Sequence, residues 1–217
     1  MSVKSTDNRV HVRSKSDLAV RLSRLKGFYE GKVRLEQYAT LSEIAADLLW
    51  NAYLLGDIEG KVIVDLGCGT GILGIGALLL GAKKVYFVEI DENALNIAKS
   101  NLSTVKSESL PSEFILGDIG DIGKFEVEID TIVQNPPFGV KVRHNDRYFL
   151  ENAFKLGKIV YSLHKSETKG YLEGFSDKKD FEITHEYRYK FGLSSTYSFH
   201  VKKMHYIDVS CFRFCRL

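Results

Sequence analysis

Residues 61–71 read Lys-Val-Ile-Val-Asp-Leu-Gly-Cys-Gly-Thr-Gly. A short apolar run, of the kind buried on both faces of a sheet, ends in an acid and runs into three glycines at alternate positions. An apolar stretch of helical length follows, from Ile72 to Leu80, and Gly81 closes it. The glycines let the backbone turn tightly and let a ligand approach it closely. A strand, glycine loop and helix in this order belong to an open α/β sheet, in which ligands sit beyond the carboxyl ends of the strands. The chain therefore has to supply more strands and helices in alternation.

It does so. Further strands are predicted at 85–88, 114–116, 129–133 and 159–163, with helices at 91–102 and 149–156. Two closing β-like stretches, 181–191 and 206–214, have a polar loop between them. They predict an antiparallel pair at one edge of an otherwise parallel sheet with helices on both faces. Ahead of the first strand, Asp17 is the expected cap of a helix that runs through Leu18, Val20, Leu22 and Leu25 and ends at Gly27. Thr40 is the expected cap of a second helix, with Glu43 three residues on as in a capping box and Ile44, Ala45, Leu48 and Leu49 as its apolar face.

A length of 217 residues fits one such domain, expected over 17–217, with a basic flexible extension at 1–16. The net charge is only +2, but residues 1–34 hold nine Lys and Arg against three acids, which leaves the remainder net −4. A basic arm on a near-neutral domain points to a polyanionic partner. The longest apolar stretch, 72–82, has 11 residues, short of the roughly 18 that a membrane span needs. The polar N-terminus lacks the apolar core of a signal peptide. Cys68, Cys211 and Cys215 are an odd number without zinc-type spacing. Cys211 and Cys215 on one strand would lie about 13 Å apart, too far to pair. The expectation is three reduced thiols in a cytoplasmic protein that does not enter a membrane.

The glycine spacing selects the ligand. A dinucleotide fingerprint places its third glycine one residue later than Gly71, where this chain has Ile72. No Gly-Lys-Ser/Thr follows, which excludes a phosphate-binding P-loop. Asp65, Gly67, Gly69, Thr70, Gly71 and Ile72 suit S-adenosylmethionine, which has no pyrophosphate for a helix N-terminus to hold. Asp65 either meets the ammonium of that cofactor, directly or through water, or hydrogen-bonds the backbone of the loop itself. Glu89 ends the second strand, 18 residues beyond Gly71, near the roughly 20 expected of an acid that binds a ribose diol. Asp91 is its competitor, with a helix to cap. After the third strand, Asp118 can accept from the adenine amine and Ile119 can pack on the ring.

Asn135-Pro136-Pro137-Phe138-Gly139 follows the fourth strand. Adjacent prolines stiffen this loop at the ligand-binding edge, because each fixes φ and the first restrains Asn135. An aryl amine is a weak nucleophile because its lone pair spreads into the ring. Two fixed acceptors, the Asn135 side-chain oxygen and the Pro136 carbonyl, would hold both amine hydrogens and return the lone pair to nitrogen. Phe138 would stack on the flat target. Positioning supplies most of the effect, and neither a metal nor a covalent intermediate is needed. Beyond this loop, Lys141, Arg143, Arg147, Lys155 and Lys158 outnumber Asp146 and Glu151 by three and read as a phosphate track. Tyr148 and Phe149 among them would either stack on a base or fill the helix core.

With these features placed, the chain resembles the methyltransferase-like-five family of ribosomal RNA adenine-N6 methyltransferases and their archaeal relatives. The resemblance runs from about residue 18 to the C-terminus. It rests on Leu35-Glu36-Gln37-Tyr38-Ala39-Thr40, Asp65-Leu66-Gly67-Cys68-Gly69, Asn135-Pro136-Pro137-Phe138-Gly139, Val160-Tyr161-Ser162-Leu163-His164-Lys165, and Phe199-His200 with Lys202 or Lys203. It implies a class I methyltransferase: a Rossmann-like seven-stranded sheet, mostly parallel, with an antiparallel C-terminal hairpin. It implies that Gln37 and Thr40 close over the cofactor, and that Gly67, Thr70, Ile72, Glu89, Asp118 and Ile119 line its site. RNA, small-subunit ribosomal RNA in particular, would be the substrate, with Lys141, Arg143, Lys165, His200, Lys202 and Lys203 as candidate contacts. His200 reads equally as an exposed loop residue. The family often pairs with a small zinc-containing activator protein. Ala39 departs from the Pro or Arg common in the family, and the basic extension is not a family requirement. Other readings are methylation of a protein glutamine amide, a nucleotide-dependent oxidoreductase, and an inactive RNA-binding module. Glycine spacing and Asn135 count against the oxidoreductase, and the intact Asn-Pro-Pro-Phe against the inactive module.

Overall fold

All five residues of β1 (Val62–Leu66) are buried, so this strand lies inside the sheet with cover on both faces. The structure, a computed structural model, describes residues 12–28, 40–105, 110–122, 125–137, 145–194 and 204–217. The other strands are β2 (Lys84–Glu89), β3 (Ser112–Leu116), β4 (Ile129–Gln134), β5 (Gly157–Lys165), β6 (Phe181–Ser194) and β7 (Met204–Arg216). They form one sheet in the order β3-β2-β1-β4-β5-β7-β6. The first five are parallel, and β7 runs antiparallel to both β5 and β6. The chain moves outward from β1 to β3 and then jumps back to β4, so the order reverses between β1 and β4. Their register pairs Asp65 with Val133. The loops that leave these strands therefore start level, side by side, at the switch point where an open sheet holds ligands.

Side-chain alternation along the strands divides the core in two. On one face Ile63, Phe87, Val133 and Leu163 pack against α1 (Lys15–Leu22), α2 (Ser42–Leu54), α3 (Ile72–Leu79) and α4 (Glu92–Val105). On the other, Val64, Val88, Ile132 and Phe212 pack against α5 (Asn145–Leu156) and α6 (Lys169–Asp177).

Four local expectations change. The first helix ends at Leu22 rather than running through Leu25 to Gly27. The α1 cap is Ser14, whose hydroxyl accepts from Asp17 N. Asp17 lies inside the first turn and takes the Arg13 amide and the Arg21 guanidinium. Thr40 does not cap α2; the cap position is Leu41, without a side-chain hydrogen bond. Finally, α6 lies between β5 and β6 where no helix was expected. It contains Gly170 and Gly174 and buries only Leu172, Phe175 and Ser176. Two helix-weakening glycines hide such a segment from propensity, and packing on the sheet supplies its stability.

Away from the switch point, one residue ties three strands together, β5 and β7 through its carboxylate and β4 through its backbone carbonyl. Asp57, in the turn before β1, accepts from the Tyr161 hydroxyl at 2.6 Å and from Arg213 Nε and Nη2 at 2.8 and 3.2 Å. Its backbone carbonyl takes the Thr131 hydroxyl. Asp57→Ala would leave a mostly buried guanidinium unpaired. Urea unfolding should show a loss of about 3 kcal/mol or more, and a loss under about 1 kcal/mol would contradict this role.

Candidate active site

The backbone turns through Gly67, Gly69 and Gly71 with φ of +70°, +54° and +85°. This left-handed region disfavours side chains. The space is closed as well. A Cβ on Gly67 would lie 2.5 Å from the Phe149 ring, and one on Gly69 would lie 3.1 Å from the Phe28 ring. The loop is therefore bare backbone between two aromatic rings. Gly71 delivers the chain into α3 as its cap residue.

Three acids surround the loop. Glu89 accepts three backbone amides, those of Gly69, Ile90 and Asp91, at 2.8 to 2.9 Å. It thereby fixes the glycine loop to the end of β2. Asp91 has the capping task expected of it and accepts from Asn93 N. Asp65 is 2% exposed, and its Oδ2 accepts from Gly74 N in α3 at 2.8 Å. Of the two roles open to Asp65, the described contacts display the backbone one, with the cavity wall on its other side. Burial pushes its carboxyl up to about 7, the Gly74 amide opposes this, and Glu89 adds to it. Asp118 accepts from the Tyr148 hydroxyl at 2.5 Å and from Gly120 N at 2.8 Å. Burial, beside Asp65 and Glu89, holds the Cys68 thiol well above its ordinary range, so it is no nucleophile at neutral pH.

The Asn135 side chain is oriented from across the cavity. Its Nδ2 donates to Thr40 Oγ1 at 2.9 Å. Its Oδ1 is buried and has no hydrogen-bond partner among the described residues. Leaving an acceptor in this state costs about 1–3 kcal/mol, so the arrangement asks for a donor from a ligand. Behind the loop runs a second buried chain, in which Gln134 Nε2 donates to Ser162 Oγ, itself 2.7 Å from His164 Nε2. Burial pushes His164 down to about 4, so it is neutral at neutral pH.

One cavity gathers Thr40, Asp65, Gly67, Gly69, Thr70, Ile72, Glu89, Asp118, Ile119, Asn135 and Pro137. These are the residues expected from the glycine loop, the strand ends and the proline loop. Gly71 and Pro136 are not among its lining: the first turns the chain into α3, and the second is buried between Asn135 and Pro137, which do line it. Lys165 ends β5, 4.0 Å from Glu167. Gln37, Phe138, Lys141, Arg143, His200, Lys202 and Lys203 lie outside the described residues. The cavity also takes in residues that the sequence did not assign to it, among them Phe28, Ile90, Tyr148 and Phe149. Of the pair on α5, Phe149 packs against the core as one of its two expected roles, and both residues also line this cavity. Nothing in the sequence marks Phe28, which follows the end of α1. Two cations of the expected phosphate track already have acidic partners, Arg147 with Glu151 and Lys158 with Glu128.

The raised Asp65 pKa yields a prediction. Unfolded, an Asp titrates near 3.9, so between about pH 4 and about 7 the folded chain keeps a proton that the unfolded chain has lost. Stability falls as pH rises through that window, and the penalty is complete above it. Asp65→Asn keeps an acceptor for Gly74 and removes the penalty. Without ligand, the variant should gain stability over the natural chain at about pH 8 and lose that gain towards about pH 4. An equal difference at both pH values would contradict the assignment.

Comparison with known proteins agrees with this geometry. The methyltransferase small domain family matches residues 43–155. The rRNA N(6)-adenosine-methyltransferase METTL5 of Danio rerio is 38% identical over 202 residues, 89% of this chain and 94% of its own length. The uncharacterized protein MJ0284 of Methanocaldococcus jannaschii is 35% identical over 212 residues, 94% of each chain. The crystal structure of Pyrococcus horikoshii PH1948, described as a candidate RNA methyltransferase, superposes with a TM-score of 0.84 at 43% identity, covering 95% of this chain and 99% of that one. Family match and full-length relatives together show that the chain belongs to the family of the METTL5 methyltransferases.

Proposed function

We propose that this chain transfers a methyl group from S-adenosylmethionine to the N6 amine of an adenine in ribosomal RNA, in the small subunit. The observation that carries this reading is the buried Asn135 Oδ1, unpartnered among the described residues and held in the same cavity as the glycine loop. Three relatives, the rRNA N(6)-adenosine-methyltransferases of Danio rerio, Drosophila melanogaster and Caenorhabditis elegans, support the substrate.

The cavity fits the cofactor. Its described lining holds three carboxylates, Asp65, Glu89 and Asp118, and no Lys or Arg, which suits a ligand whose methionine end carries an ammonium. Glu89 Oε2 keeps acceptor capacity beyond its one amide and would take ribose hydroxyls. Asp118 Oδ2 has no hydrogen bond among the described residues and would accept from the adenine amine, with Ile119 and Ile90 as apolar walls. Asp65, Gly67, Gly69, Thr70 and Ile72 would cradle the methionine side, and Gln37 with Thr40 would close over it. The cofactor supplies an electrophilic methyl on a sulfonium that leaves as a neutral thioether.

The chain supplies orientation. Thr40 turns the Asn135 carboxamide oxygen inward, where it accepts one hydrogen of the target amine. The Pro136 carbonyl accepts the other, and Phe138, beyond Pro137, stacks on the base. Both acceptors draw lone-pair density back to nitrogen, which strengthens as the nitrogen becomes tetrahedral. No strong base is needed, because the amine proton becomes acidic only after transfer. Lys141, Arg143, Lys165, His200, Lys202 and Lys203 would steer RNA phosphates. A small zinc-containing activator would have β3 and β6 available for strand pairing, the two outer strands of the described sheet.

Two variants test the grip. With small-subunit ribosomal RNA as acceptor, Asn135→Ala should lower kcat by about 100-fold or more, while the Kd for S-adenosylhomocysteine stays within about threefold. Thr40→Val frees the carboxamide without removing it and should cost about tenfold in kcat. Unchanged turnover in Asn135→Ala would remove Asn135 from the mechanism.

A further inference from the structure

Asn101, in α4, is fully buried, and its side chain spans two segments of backbone. Its Oδ1 accepts from Lys26 N at 2.8 Å, and its Nδ2 donates to Lys26 O and to Thr70 O, both at 2.9 Å. Both amide hydrogens are used, one on each segment, and the oxygen closes a second bond to Lys26. The carboxamide thus treats Lys26 as a neighbouring strand would and holds it to the glycine loop at Thr70. Two residues later, the Phe28 ring lies across Gly69, its Cζ 3.1 Å from the place of a Gly69 Cβ. The Gly69 amide is bound to Glu89, the acid proposed above to take the ribose hydroxyls. Phe28 is half-buried and lines the cavity. It lies ahead of residues 43–155, the part of the chain that matches the methyltransferase domain family.

We propose that Phe28 is a cofactor-contacting residue, an apolar wall over the Gly69 turn, and that Asn101 is the positioning residue that holds it there. The proposal rests on the cofactor reading above. A ring along an open cavity keeps part of its apolar surface in water until a ligand fills the space, so binding buries it further. A clamp anchored on Thr70 couples that wall to the loop: whatever moves Thr70 moves residue 26, and with it residue 28. Residues 26–28 therefore belong to the binding site, although they precede the domain that carries the motifs.

Calorimetric titration of S-adenosylhomocysteine into the full chain tests this, with Phe28→Ala, Asn101→Ala and the double variant. Phe28→Ala should raise Kd about tenfold. Asn101→Ala should do the same, and the double variant should be weaker than Asn101→Ala by less than about twofold, because the ring no longer sits on the loop once the clamp is gone. A merely structural role would lower the unfolding temperature of each variant and leave Kd of the folded chain alone. Binding by Phe28→Ala within about twofold of the natural chain, or losses that multiply in the double variant, would overturn the proposal. Should Asn101→Ala not fold, Phe28→Ala alone decides. Failure of the unaltered chain to bind would instead overturn the cofactor reading, and this proposal with it.

Discussion

A hydrogen bond between residues 95 apart in the chain, from the Asn135 amide to the Thr40 hydroxyl, decides which end of the carboxamide faces the cavity. A carboxamide has a donor end and an acceptor end of nearly equal size. With the donor end tied to Thr40, the acceptor is left buried and without a partner among the described residues, where a donor from a ligand would satisfy it. The fold is arranged around this one choice. The reversal of strand order between β1 and β4 brings the proline loop beside the glycine loop. Helix α2, packed with α3 on one face of the sheet, brings Thr40 to the same place. The adjacent Gln134 is held in the same manner on the opposite face, with its amide nitrogen on Ser162 and its Oε1 also buried without a partner among the described residues.

The carboxylates answer a related problem. Glu89, Asp65 and Asp118 crowd one cavity, and acids brought together in a low dielectric repel one another and are costly to desolvate. Backbone amides offset part of this cost. Three of them face Glu89, one faces Asp65, and one faces Asp118 together with the Tyr148 hydroxyl. What these amides leave uncompensated shows in Asp65, whose carboxyl is pushed up to about 7, chiefly by burial. Stability is given up at the place where a cationic ligand would recover it.

Most of the frame was legible in the sequence because it depends on local pattern. The two-sided burial of β1, the alternate glycines, the acid closing β2 and the Asn-Pro-Pro turn each announce a backbone requirement within a few residues. Thr40 was misread because a hydroxyl before a helix has a common local use, and the partner it prefers is far along the chain. Ser14 took the cap assigned to Asp17 for the converse reason: the acid had better partners in Arg13 and Arg21. Helix α6 escaped notice because its two glycines hide a segment whose stability is tertiary. The walls of the cavity, Phe28, Tyr148 and Phe149, carry no local signature of that role. Where charge alone was counted, Arg147 and Lys158 seemed free for phosphate, whereas each has an acidic partner.

A substrate amine held by an acceptor that Thr40 turns inward should be an adenine N6 amine, in RNA. The most direct measurement is incubation with isotope-labelled S-adenosylmethionine and undermethylated small-subunit ribosomal RNA, followed by digestion and nucleoside analysis. The account predicts that the label appears in N6-methyladenosine. Label in any other nucleoside, or in protein alone, would contradict it.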